Sequence, residues 1–365
     1  MISKSTFVQI KSIYGKVSSF AIWAQSQKGE GPKGHIDDLS PLDVETNPGV
    51  LKKLHCDVVF VGLNPSRELE KKADFANFHD GNPKGTDYVL RRLLVGTVCE
   101  GAAMTDFIPD FVNVDAKNAM KRIKSNRRYY VKCMEDFLRK MDVITGEGGC
   151  KPVLVAMGKD AERLLRDSYS AKFNHEWDLA KKGYMVMEIS HYAAAVSMEQ
   201  RRNELEEVIK VWLSSKIMTK TGSLLDNGLA EGIALFIPQG LTAFSVEVQE
   251  FFERECDKKA IGACTVSKSV TGGKARCLIC IDNAIRKINN VDDMKKQVWE
   301  VLDTFASQKI RTVAMNGIRC DKRPDLRVRP EKYQRQFVEE YLSTHPDVFD
   351  WIILVDARGG FDKKE

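Results

Sequence analysis

The apolar positions of this chain fall into short solid runs, separated by longer stretches of mixed polarity. Val58-Val59-Phe60-Val61 is one such run, and it stops abruptly at Gly62-Leu63-Asn64-Pro65-Ser66. A block of β-branched residues without polar alternation suits a strand buried on both faces, as in a parallel sheet. Gly followed by Asn-Pro suits a sharp turn at the strand's carboxyl end. In open α/β sheets that edge is where ligands bind. Apolar runs at 102–108, 153–157 and 184–189 predict three further strands. Helical spacing predicts helices over 7–26, 87–95, 116–140 and 159–167, and a long charged helix over 197–213. Strands alternating with helices imply a parallel sheet with helices on both faces.

The stretch 214–231 is rich in Ser, Thr, Lys and Gly and reads as a linker. A second alternating pattern follows. Strands are expected near 233–237, 261–266, 275–281, 312–315 and 351–355, with helices over 246–255, 291–307 and 330–342. The expected fold class is α/β: a three-layer α/β/α unit around a four-stranded parallel sheet over 1–213, then a second, smaller α/β unit over 232–365. No short-period repeat is evident.

Composition adds bounds. The chain has 365 residues, enough for two cores, with 43% apolar and 29% charged residues. A net charge of +5 permits a polyanionic partner without requiring one. No apolar run is long enough to span a membrane, and Met1-Ile2-Ser3-Lys4 lacks the core of a secretion signal. Nine Cys without a spaced framework suit reduced, core-filling thiols. Location is therefore expected in the cytoplasm, nucleoid-associated, or in a nucleus.

Each strand of the first half ends in small or polar residues that open on one sheet edge. After Gly62-Leu63-Asn64-Pro65 comes Phe75-Ala76-Asn77-Phe78-His79-Asp80-Gly81-Asn82-Pro83, then the strand end Met104-Thr105-Asp106. Met157-Gly158-Lys159 and Ile189-Ser190-His191-Tyr192-Ala193 follow. In this order of motifs the stretch from about 51 to 213 resembles the uracil-DNA glycosylase superfamily, most closely its mismatch-specific uracil/thymine branch. That branch carries Gly-Ile-Asn-Pro-Gly at the first strand end, an aromatic-bearing loop before a helix, and a strand ending in Leu-Gly-Lys. Its last strand ends in a His-Pro-Ser or similar loop. Ser66 stands here where that pattern has Gly, and Tyr192-Ala193-Ala194-Ala195 where it has Pro-Ser.

The resemblance implies hydrolysis of an N-glycosidic bond after the target base has left the duplex stack. Asn64 would position the water and His191 would stabilise the departing base, with no metal and no cofactor. Gly62, Leu63, Phe75, Phe78 and Tyr192 would bind the base, with Phe78 or Phe75 stacking on it. The loop 192–198 would fill the vacated space in the duplex. Lys121, Arg122, Arg127 and Arg128, in a basic run with adjacent tyrosines, would hold phosphates together with Lys159 and Ser197. The partner is DNA with a flipped base, either uracil or another mismatched or modified base, in base excision repair or in defence against phage with altered DNA. The small Ala193, Ala194 and Ala195 would admit a bulky base.

From about 232 to 360 the chain loosely resembles a macro domain, a fold that binds ADP-ribose. Val313-Ala314-Met315-Asn316-Gly317-Ile318 matches its apolar strand and Gly-bearing phosphate loop, whereas its early Asp and Asn motifs are absent. A nucleotide or protein partner is the expectation for this half. Cys277-Leu278-Ile279-Cys280 has zinc-like spacing but no second pair, and reads as a strand. Thr271-Gly272-Gly273-Lys274 reads as a hairpin turn. The competing functions are a catalytically inactive nucleic-acid-binding module and a nucleotide or ADP-ribose binder acting through the second half.

Overall fold

A computed structural model describes residues 2–66, 73–82, 84–145, 151–172, 175–221, 230–237, 265–267, 277–282, 290–318 and 330–356. The chain divides into two compact units, Met1–Trp212 and Leu213–Glu365. Both are α/β.

The first unit is built on a five-stranded sheet. In chain order its strands are β1 (Ser18–Phe20), β2 (His55–Gly62), β3 (Ala102–Asp106), β4 (Val153–Met157) and β5 (Met185–Ile189). Their spatial order is β1-β3-β2-β4-β5. β3, β2, β4 and β5 run parallel, and β1 lies antiparallel along the β3 edge. Val58, Val59, Phe60 and Val61 in the central strand are all fully buried, which is why the run shows no polar alternation. Register places Gly62 beside Asp106 and Val61 beside Ala156, so the carboxyl ends of the strands are level.

The helices of this unit are α1 (Lys4–Tyr14), α2 (Tyr88–Leu94), α3 (Ala116–Ser125), α4 (Arg127–Thr145), α5 (Lys159–Leu165) and α6 (Met198–Ser215), the last running past the unit boundary. Two differ from the sequence expectation. The helix expected over 7–26 ends at Tyr14, where the Gly15 N–H closes on the Lys11 carbonyl, 3.0 Å away. Ser18, Ser19 and Phe20 then go extended and are buried as β1. The helix expected over 116–140 is two. Asn126 is extended, and its Oδ1 accepts from the Tyr129 N–H at 3.0 Å, starting α4 as an N-cap does.

The second unit carries β6 (Ile217–Thr221), β7 (Gly232–Ile237), β8 (Thr265–Ser267), β9 (Cys277–Asp282), β10 (Thr312–Asn316) and β11 (Trp351–Asp356), with α7 (Val291–Ser307) and α8 (Pro330–Thr344). The order is β6-β11-β10-β7-β9-β8, parallel except for β8. β6 falls within the stretch expected as a linker. Its Lys-and-Thr-bearing sequence hid an edge strand, which pairs with β11. The Cys277–Cys280 spacing lies on β9, as expected for a strand. The expected helix over 246–255, most of the expected strand over 261–266 and the Thr271–Lys274 turn lie outside the described residues. Among the described residues no helix is long and apolar enough to cross a membrane.

Candidate functional site

The ends of β2, β3, β4 and β5 open on one cleft of about 630 Å³. Gly62, Leu63 and Asn64 enter it from β2, and Asp106 from β3. Met157, Gly158 and Lys159 follow β4, while His191 and Tyr192 follow β5. Asn113, Val114, Ala193 and Ala194 form rim segments.

Asn64 is held by its side-chain nitrogen. Nδ2 donates toward the carbonyl oxygens of Asn113 (2.8 Å), Pro65 (3.0 Å) and Phe111 (3.1 Å). A carbonyl only accepts, so the amide orientation is set by its surroundings.

His191 has the opposite polarity. The Ala193 N–H donates to its Nδ1 at 3.1 Å, which leaves the ring proton of the neutral form on Nε2. Burial, followed by the nearby Arg201 guanidinium, pushes its pKa below the usual histidine value. The imidazole therefore meets the cleft as a neutral N–H donor at neutral pH. Gly158 makes room for it: a Cβ there would lie 3.2 Å from the His191 Cβ, and its φ of +99° is one that L side chains rarely adopt.

The His191 loop is fastened from α6. Arg201, buried, donates to the carbonyls of Ala194 (2.6 Å), His191 (2.8 Å), Ser190 (3.1 Å) and Tyr192 (3.3 Å). Glu204 accepts from the Ser190 N–H at 2.7 Å and its hydroxyl at 2.8 Å. Burial raises the Glu204 pKa, but the bonds from Ser190 and Gln200 outweigh it and hold the carboxyl below its usual range.

Tyr192 stacks on His191, with ring centroids 4.3 Å apart, and meets Phe78 edge-on at 6.5 Å. Burial raises its hydroxyl pKa far above the usual value, with Asp87, Asp106 and Asp80 adding to the effect, so the phenol stays protonated. Phe78 is buried and reaches to 3.4 Å from where a Gly62 Cβ would sit. Its φ of +64° is strained for a bulky residue, at a cost of about 1–3 kcal/mol. Trp23 Nε1 steadies the segment by donating to the Phe78 carbonyl at 3.2 Å.

Phe75 is elsewhere. It packs in the core against Phe7 (5.2 Å) and Phe20 (5.5 Å) and does not line the cleft. Phe78 does not line the cleft either, but it packs directly behind Gly62 and Tyr192, which do. His79 is a strap rather than a reactive group: Nδ1 contacts the Asn77 carbonyl (3.0 Å) and Nε2 the Ile22 carbonyl (2.8 Å). Burial lowers its pKa.

The basic residues divide. Arg127 forms a two-pronged pair with fully buried Asp167 and also donates to the Tyr169 hydroxyl at 2.8 Å. That guanidinium is engaged within the fold. Arg122 lies over the Tyr129 ring, 4.1 Å from its centroid, and over Phe111 at 5.0 Å. Lys121 and Arg128 are exposed. Lys159 and Arg163 sit on the cleft itself. Ser197 is exposed, accepts from the Gln200 N–H at 3.1 Å as a helix cap, and does not line the cleft.

Three groups of this site were given no role from sequence. Asp106 ends β3 as a buried carboxylate on the cleft, and the polar pair Thr105-Asp106 closing an apolar run was its signal. Arg201 and Glu204 were masked by the charged composition of their helix. Among the described residues no cluster of His, Cys, Asp or Glu has the makings of a metal site.

In the second unit the turn after β10 is clamped. Asn316 Nδ2 donates to the Phe236 carbonyl at 2.8 Å, and the Phe236 N–H donates to Asn316 Oδ1 at 2.6 Å. Gln334 bridges the Asn316 carbonyl (3.0 Å) and the Ile318 N–H (2.9 Å).

No family model matches the chain, and no curated protein matches it. Among solved structures, the macro domain of ganglioside induced differentiation associated protein 2 aligns with a TM-score of 0.32 and 14% identity, over 41% of this chain and 82% of that one. A Trypanosoma brucei macrodomain aligns at 0.32 and 12%, over 42% and 67%. The Trypanosoma brucei macrodomain in complex with ADP-ribose aligns at 0.30 and 14%, over 46% and 90%. Likeness this remote carries nothing about residues or activity.

Proposed function

We propose that the first unit is a DNA glycosylase that hydrolyses the N-glycosidic bond of a base flipped into the cleft. One observation carries this reading: Asn64, its amide fixed by backbone carbonyls, and His191, whose Nδ1 is engaged by a backbone N–H, line one cleft at the carboxyl edge of the sheet. Asn64 Oδ1 holds a water for attack on the sugar C1′. The C1′–N bond breaks, its electron pair leaves with the base, and His191 Nε2–H donates to a base oxygen as negative charge develops there. The water's hydroxyl stays on C1′, and its proton balances the base that leaves. An amide is no general base, so the rate depends on stabilising the leaving group. Tyr192 supplies aromatic surface for the flipped ring, with Phe78 packed against it from behind. The test incubates the protein with duplexes carrying uracil, mismatches and modified cytosines, and scores abasic sites by alkali cleavage. Strand breaks at one base class support the reading; none with any duplex overturns it.

A second reading concerns the second unit. The turn Asn316-Gly317-Ile318 lies at the carboxyl end of a parallel strand, the edge where α/β sheets bind ligands. Calorimetric titration of the full chain with ADP-ribose tests nucleotide binding there. A saturable one-site heat supports it, and its absence leaves a scaffold for a protein partner.

A further inference from the structure

The proposed chemistry uses Asn64 and His191 and leaves Asp106 without a part. This carboxylate is 2% exposed, yet it lines the cleft. The neighbouring strand is built around it: a Cβ on Gly62 would stand 2.3 Å from Asp106 Oδ1, so only glycine admits the carboxylate there. Oδ2 accepts from Asn77 Nδ2 at 2.9 Å, and the same Nδ2 also donates to the Val17 carbonyl at 3.1 Å. Buried Lys140 holds the main chain from behind, donating to the Asp106 carbonyl at 2.9 Å and to Thr105 Oγ1 at 2.8 Å. The group is thus fixed in place and in orientation.

An ionised carboxylate only accepts hydrogen bonds. With His191 as donor and Asp106 as acceptor, the cleft is complementary to a base that offers both a ring carbonyl and an amino group. We infer that Asp106 is the specificity-determining residue of this cleft, and that it selects cytosine or a modified cytosine over uracil and thymine. The inference rests on the reading that the cleft takes a flipped base. Carboxylates read the exocyclic N4 amino group of cytosine in the same way in duplex recognition. Uracil presents a carbonyl oxygen, O4, where cytosine has that amino group, and two acceptors facing each other repel.

The test measures binding apart from chemistry. Fluorescently labelled duplexes carry a 2′-fluoro nucleotide of cytosine, 5-methylcytosine or uracil opposite an abasic site. The fluorine blocks release, and anisotropy with the full chain reads affinity. One amino-directed contact should favour a cytosine by about tenfold or more. Asp106→Asn places a donor beside the acceptor and should move the preference toward uracil. Asn77→Ala, which keeps the charge but removes its orienting amide, should shrink the preference. Uracil bound by the wild type as tightly as either cytosine overturns the inference, whether or not the variants fold. So does an unchanged ranking in a folded Asp106→Asn protein. A cytosine preference in binding, with no base released from unblocked duplexes, supports Asp106 as reader and sinks the glycosylase reading alone. Base release from unblocked duplexes, with uracil bound as tightly as cytosine, does the reverse.

Discussion

Asn64 and His191 are each fixed by backbone partners. Removing one preorganised donor typically costs about a hundredfold in rate. His191→Ala should therefore slow single-turnover base release by about that factor while duplex affinity is kept, and Asn64→Ala, which loses the group that holds the water, should slow it as well. Loss of affinity with an unchanged rate would move both residues out of the chemistry. The histidines also set a stability window. His79 and His191 both titrate below the ordinary value of 6.5 in the folded chain. The unfolded chain takes up their protons first, so their contribution is complete above 6.5 and is lost as the pH falls below it. The thermal midpoint should fall between about pH 7 and about pH 5, and His79→Gln should flatten that fall. A midpoint constant over this range would mean that neither ring resists protonation.

At the scale of elements, the central strands were legible because full burial on both faces leaves an unbroken apolar run, as at Val58–Val61 and in β4. The breaks were not legible, since each depends on one side chain meeting one backbone group. Asn126 splits a continuous amphipathic pattern through a single cap bond. Phe75 and Phe78 stand three residues apart in irregular chain, both at positive φ, and no periodicity tells which faces the core. The basic run misled in another way: composition cannot show that Arg127 is already engaged by Asp167. Breaking a buried pair by removing one partner costs about 3–5 kcal/mol. Arg127→Ala should lose stability at the low end of that range in chemical denaturation, because the guanidinium side is partly exposed. Arg128→Ala should leave stability unchanged and lower the salt slope of DNA binding by about one. A stable Arg127→Ala protein with a reduced slope would return that residue to the DNA surface.

For the whole molecule, the alternation of strand and helix is legible as two α/β units, because the period of the pattern reports which faces are buried. One edge of each sheet was missed. β1 and β6 are short and carry Ser, Thr and Lys, so the hydrophobic signal that marks central strands is weak there. The cleft was readable at Asn64 and His191, which follow apolar runs directly. The parts that hold it came from far along the chain: Asn77, Lys140, Arg201 and Glu204 act through contacts that no local spacing encodes.

Lys140 gives this fold an internal clock. Burial lowers its pKa to about 8, and an amine that meets water at alkaline pH is acylated through its unprotonated fraction. Yet it is 1% exposed, sealed between α4 and the end of β3. An amine-acylating reagent reaches it only during moments when the helix parts from the sheet. The rate at which Lys140 is acylated, followed by peptide mass spectrometry, therefore counts those openings. A ligand that rests against Asp106 should slow that count without touching the lysine.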